Sequence, residues 1–240
     1  MKNVLLSAFT LLLALHVQAQ SADDIIAKHL AAVGADNWSK VEAVKMEAVV
    51  SSQAAPGMDI PLTMTIVNNK AARIDVTVMG MTQSSCVNGE TGWANNPFMG
   101  QTDAEPMTAD QVNSMKDMTD LSGPLFGYNE KGYSVEYIGT EDVDGVEAHK
   151  IKVVMSPTKT QYSLIDPETF YEIKTVTVEK VDGQEVEAAS TFSDFKKVDG
   201  ITFPFAIEQN NPMMGSTVTK MSKITVNPVV DMSVFKMPAK

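Results

Sequence analysis

From Met58 to Ile66 every second residue is apolar: Met58, Ile60, Leu62, Met64 and Ile66 alternate with Asp59, Thr63 and Thr65. Successive side chains of a strand point to opposite faces, so this period builds a half-buried strand and is incompatible with a helix. Met46, Ala48 and Val50 repeat the pattern before it and Ile74, Val76 and Val78 after it. Three successive strands therefore present one apolar face. Asn88-Gly89, Asp144-Gly145, Asp182-Gly183 and Asp199-Gly200 separate alternating runs along the rest of the chain. Both residues of such pairs tolerate the positive φ of tight hairpins, so the sheet is an antiparallel meander.

Two helices interrupt the strands. Ser21 followed by Asp24 marks a start, Ile26, Leu30 and Val33 recur at helical spacing, and Gly34 ends the element. Thr108 and Gln111 form a capping-box pair ahead of Val112, Met115 and Met118. So few helices cannot cover both faces of a large sheet. The expected fold is mainly β (α+β): a curved antiparallel sheet of about ten strands forming an incomplete half-barrel, with helices covering the concave face.

The first residues have a different logic. Lys2 precedes the apolar run Val4 to Val17, and Val17 and Ala19 stand at the −3 and −1 positions of a secretory cleavage site. Residues 1–19 are expected to be a signal peptide cleaved after Ala19, and residues 20–240 a single domain. Cys86 is the one cysteine, so an exported fold of this size holds itself by packing, which suits a bacterial periplasm. A formal net charge of −11 with dispersed carboxylates argues against nucleic acid and anionic membrane surfaces.

Catalytic chemistry has little to draw on. His29 and His149 are the histidines beyond the leader, without flanking metal-ligand spacing. His29 reads as a partly buried helix residue, and His149, alternating with Ile151, Val153 and Met155, as an interior-facing strand residue. Glu141, Asp142 and Asp144 before Gly145 lack the later ligands of a calcium loop and read as a hairpin turn. No nucleophile elbow, phosphate loop or dinucleotide fingerprint occurs. Neither enzymatic activity, nor a cofactor, nor a bound metal is expected.

Three features point to binding. Sixteen methionines supply unbranched, polarizable side chains, which either fill gaps in a core or line a surface that accepts irregular apolar shapes. Arg73 is the only arginine: either it makes a specific contact with a carboxylate or phosphate, or it pairs with Asp75 on its own strand. In Val87–Gly100, VNGETGWANNPFMG, Trp93, Phe98 and Met99 stand among Gly, Asn and Pro, and either staple a hairpin or rim a pocket.

Asn88-Gly89-Glu90-Thr91-Gly92-Trp93 followed by Asn96-Pro97-Phe98 resembles a segment of the periplasmic lipoprotein carriers of the LolA type and their outer-membrane lipoprotein-sorting relatives. DFKKVDGITFPFAIE, Asp194 to Glu208, and DMSVFKMP, Asp231 to Pro238, are similar to further segments of that superfamily. A family Arg-Pro pair is replaced here by Asn68 and Asn69, and Arg73 falls near a second family arginine. The resemblance implies a half-barrel whose apolar concavity receives acyl chains. On that reading Met46, Val50, Leu62, Met64, Ile66, Ile74, Val76, Trp93, Phe98 and Met99 line the cavity. Val112, Met115 and Met118 form a lid, and Arg73 is a polar contact. The implied function is a monomeric periplasmic carrier of lipoprotein acyl chains or other lipids, meeting membrane-bound donor and acceptor proteins. The alternative is an envelope sensor or protein-interaction module on the same fold.

Overall fold

A computed structural model describes residues 21–53, 55–181, 183–211 and 215–239. The expected signal peptide, together with Asp182, Met213 and Met214, lies outside the described residues. Helix α1 (Ala22–Val33) begins where the Ser21 hydroxyl accepts the Asp24 N–H at 3.1 Å, and ends at Gly34 with φ +84°. A single turn, α2 (Ala35–Trp38), follows directly. Six strands come next: β1 (Ala43–Ser52), β2 (Ala55–Val67), β3 (Ala71–Val78), β4 (Met81–Asn88), β5 (Thr91–Asn96) and β6 (Gln101–Pro106). Helix α3 (Ala109–Lys116), with the full Thr108/Gln111 capping box, lies in the connection to the second run. That run comprises β7 (Ser134–Val143), β8 (Val146–Ser156), β9 (Lys159–Ile165), β10 (Glu172–Val181), β11 (Gln184–Val198), β12 (Ile201–Asn211) and β13 (Gly215–Val226).

All thirteen strands form one antiparallel sheet in the order β6-β5-β4-β3-β2-β1-β13-β12-β11-β10-β9-β8-β7. The sheet does not close on itself, and it is the expected open, curved half-barrel. Thirteen strands exceed the expected ten, in part because Pro97–Met99 folds as a 3-10 turn that returns the chain into β6.

Register decides what each face carries. Met46 pairs with Met64 and Met64 with Ile74, while Ala48, Leu62 and Val76 form the adjacent row. Across the other half, Ile151–Ser163–Thr175–Ser190–Gln209 form one row, and Phe192–Ile207–Thr219–Val50–Ile60 another. Ser190 and Phe192 are two residues apart on β11, so both rows belong to one face. The helices cover this inner face. Ile25 and Ile26 of α1 pack on Ile151, Val153 and Ile165, and Val112 and Met115 of α3 pack on Ile66, Ala72 and Val87. Each of these fully buried side chains contributes about 1.5–3 kcal/mol, far more than intrinsic helix propensity could for elements this short.

The opposite face has its own cover. Beyond β13 the chain runs back over β3–β5 as a strap, and buried Phe235 packs with Ala71, Cys86 and Trp93. Asp231 starts a 3-10 turn (Met232–Phe235), its carboxylate accepting the Ser233 N–H at 2.8 Å. The Ser233 hydroxyl, with that backbone bond second, holds the Asp231 carboxyl below its ordinary range.

Candidate functional site

Seven residues of the expected cavity lining share the inner face: Met46, Val50, Leu62, Met64, Ile66, Ile74 and Val76. Ile66 is buried, packing with α3, while the other six are only partly covered. Of the lid residues, Val112 and Met115 are buried and Met118, just past the helix, is exposed. Lys116 pairs with Glu90 at 2.5 Å and Asp117 with Lys159, tying the C-terminal end of α3 to the β4–β5 turn and to β9. Exposed ion pairs contribute roughly 0–1 kcal/mol, so burial of Val112 and Met115 is what seats α3.

Two hollows open on this face. A recess of about 260 Å³ lies between α1, α2 and β10–β12, walled by Val33, Trp38, Met46, Leu121, Phe192 and Phe203. Trp38 meets Phe203 edge to face at 5.3 Å between ring centres. A wider hollow of about 800 Å³, with mostly polar walls, separates Asp110, Asn113 and Asp117 from Met155, Lys159 and Glu179.

Trp93 lies elsewhere. Its pairing with Cys86 puts it on the strap-covered face, where Nε1 donates to the Phe235 carbonyl at 3.0 Å. The expectation that it lines the cavity is corrected to the hairpin-staple alternative. The neighbour on the α3 side is Gly92, whose absent Cβ would sit 2.8 Å from Met107 Sδ and 3.1 Å from Val112 Cγ2. Arg73 is also on the strap side. Its Nε pairs with Asp75 at 2.9 Å, its Nη1 donates to the Val234 carbonyl at 2.7 Å, and its guanidinium lies over the Trp93 ring at 5.4 Å. It serves the strap and is not a contact inside the concavity. Phe98 and Met99 are exposed in the turn between β5 and β6, Met99 at 84 %, instead of lining the hollow.

Cys86 is sealed beneath the strap, and its Sγ lies 3.3 Å from the Phe235 carbonyl. Burial pushes the thiol up from 9.0 to about 11, against the opposing pull of Arg73. Between those values the unfolded chain releases the thiol proton and the folded one keeps it. This contribution to stability is therefore complete below pH 9 and is lost as pH rises towards 11. A Cys86→Ser variant should show a smaller alkaline fall in stability than the native chain, by about 2 kcal/mol between pH 8 and 11. Denaturant titrations at both pH values measure it, and equal slopes would refute the assignment. Native Cys86 should likewise react with maleimide only after the strap opens.

His29 reads from the sequence as a partly buried helix residue, without being brought to a recess, and Glu172 escaped that reading. His29, 9 % exposed, places Nδ1 2.8 Å from the Phe170 carbonyl. A carbonyl can only accept, so Nδ1 carries a proton there. Phe170 adopts φ +57°, a conformation a bulky side chain rarely takes, and Phe170 N–H donates to the Asp166 carbonyl at 2.9 Å. Glu172 follows. A register shift between Glu172 and Lys174 re-aims the strand, so Ile173 joins the outer cluster with Leu164 and Val176 while Glu172 lines the recess. Its Oε1 is buried without a hydrogen-bond partner. Burial raises its pKa, opposed by nearby His29 and the Ser163 hydroxyl. A glutamate between Tyr171 and Ile173 was the available signal, and a bulge hides the parity that would reveal its direction. Among the described residues, no three His, Cys, Asp or Glu side chains converge as a metal site would require.

No protein-family model and no curated protein sequence matches the chain. Solved structures do. A LolA superfamily protein from Nitrosomonas europaea superposes with a TM-score of 0.58 at 13% identity, over 91% of this chain and 98% of that one. A putative outer membrane lipoprotein-sorting protein domain from Vibrio parahaemolyticus gives 0.56 at 13% identity, over 88% and 94%. A DUF1329 family protein from Desulfovibrio piger gives 0.50 at 15% identity, over 88% and 97%. The open antiparallel sheet with its helix-covered inner face is thus shared along nearly the whole length of these molecules, and the fold of this chain is LolA-like.

Proposed function

We propose that the protein is an exported, periplasmic binding protein that holds an acyl chain of a lipoprotein or another lipid against the inner face of its half-barrel and carries it between membranes. The observation that supports this most directly is the inner face itself. Six of its apolar strand residues, Met46, Val50, Leu62, Met64, Ile74 and Val76, are left only partly covered by the helices, beside an apolar-walled recess of about 260 Å³. The LolA superfamily and lipoprotein-sorting structures share the fold, which supports the same reading.

Magnitudes fit a reversible carrier. At about 30 Å³ per water-sized unit the recess takes roughly nine carbon-sized groups. Burying that many methylenes at about 0.8 kcal/mol each contributes roughly 7 kcal/mol before ordering costs, short of the roughly 8 kcal/mol that a micromolar complex needs. A longer chain gains the remainder by lying along Met64 and Ile74. Binding of this kind requires no catalytic group, only a surface that stays accessible and a cover that moves.

Lipid extracted from the purified native protein and identified by mass spectrometry tests the reading, with acyl chains expected at substoichiometric to stoichiometric levels. Met64→Ser with Ile74→Ser, at two partly exposed positions, should cut lipid recovery about tenfold while the fold survives. Recovery of no lipid, together with failure to bind a fluorescent fatty-acyl probe, would rule it out.

A further inference from the structure

The walls of the recess are mostly apolar, with a few polar side chains among them. Glu172 is in its lining, with Oε1 buried and without a hydrogen-bond partner among the described residues, and an unsatisfied buried acceptor is destabilising unless something fills the need. The protein supplies little. His29 has committed its Nδ1 proton to the Phe170 carbonyl, and the Ser163 hydroxyl receives Gln161 Nε2 at 3.2 Å and is the one donor acting on the carboxyl. The other ionised group of the lining, Asp120, is neutralised by Lys131 at 2.5 Å. Among the described residues, the unmet hydrogen-bonding capacity on Glu172 Oε1 is thus acceptor capacity.

We propose that the recess takes the end of a single aliphatic chain that terminates in a hydrogen-bond donor without negative charge, a hydroxyl or an amine, with Glu172 as the acceptor. This rests on the acyl-binding reading and narrows it. A hydroxyl or ammonium satisfies Oε1, whereas a carboxylate brings a second acceptor and like charge into a desolvated site. Ligand selection here works as rejection: a site built for a donor discriminates strongly against an analogue lacking one, because its own buried group is then left unpaired.

Trp38 provides the reporter, since it lines the recess while Trp93 is sealed on the opposite face. Titration of the full mature chain with 1-octanol, octylamine and octanoate at pH 7, followed by tryptophan emission and calorimetry, should show octanol and octylamine binding at least tenfold more tightly than octanoate. Glu172→Gln, which keeps the shape and removes the charge, should compress that ratio at least fivefold. Should that variant fail to fold, the native ranking still decides. Octanoate binding as tightly as the other two overturns the inference, as does a Glu172→Gln protein with an unchanged ranking. Lipid recovery separates the two levels: equal binding of all three probes with lipid still recovered sinks the assignment of Glu172 and spares the carrier reading, whereas no probe binding and no recovered lipid sink both.

Discussion

Trp93→Ala is expected to lower the free energy of unfolding by about 3–5 kcal/mol, the range for truncating a buried aromatic in a core that cannot collapse around the loss. Trp93 is 4 % exposed and touches three things at once: the Phe235 carbonyl through Nε1, the Arg73 guanidinium through its ring, and Cys86 as its cross-strand partner. Removing the indole should also loosen the strap, so maleimide labelling of Cys86 accelerates in step with the stability loss. Trp93→Phe keeps most of the apolar area and forfeits the hydrogen bond, costing about 1–2 kcal/mol. Lipid recovery should be unchanged in any fraction that stays folded, because the residue lies behind the sheet. A stable Trp93→Ala protein that has lost its lipid would return Trp93 to the cavity.

The contrast between Trp93 and Met64 shows where sequence reasoning reaches. Met64 sits in a five-residue alternation that no register slip could invert without exposing the whole set, so its face was legible from the string alone. Trp93 has only Gly92 and Ala94 beside it, and neither announces a core. Its direction follows from the Ala72–Val87–Gly92 row, which continues the inner face through pairings that sequence does not print. The Asp-Gly turns were legible for the opposite reason: their requirement is local. Asp199 and Gly200 take φ +49° and +81°, and Asp144 and Gly145 +53° and +89°, as tight hairpins demand. The strap was invisible because Phe235 and Trp93 meet across 142 residues. The shared place of Glu172 and His29 in the recess was missed for a related reason. Each looks ordinary in its own element, and only the seating of α1 on β8 and β9 makes them neighbours of one recess.

That seating depends on a single missing side chain, and Gly34→Ala is expected to cost about 3 kcal/mol or more. A Cβ at Gly34 would stand 2.2 Å from the Gly200 carbonyl oxygen, a backbone atom of the β11–β12 hairpin. Relief would require moving that hairpin or lifting the helix end. Lifting it breaks the Asn37 Nδ2 bond to the same carbonyl at 3.2 Å and the Thr202 hydroxyl bond to the Ala32 carbonyl at 3.3 Å. Gly145 separates this cause from backbone strain: its φ is also strongly positive, but its Cβ would meet nothing within 4 Å. Gly145→Ala should therefore cost only the left-handed penalty of about 1 kcal/mol. The excess at Gly34 measures the packing of α1 on the hairpin. Because Val33 and Trp38 flank the junction and wall the recess, the same variant should also weaken the Trp38 response to octanol, while Gly145→Ala leaves it intact. Equal costs for the two substitutions would show that close approach at Gly34 is not what holds the helix, and with it His29, over the site.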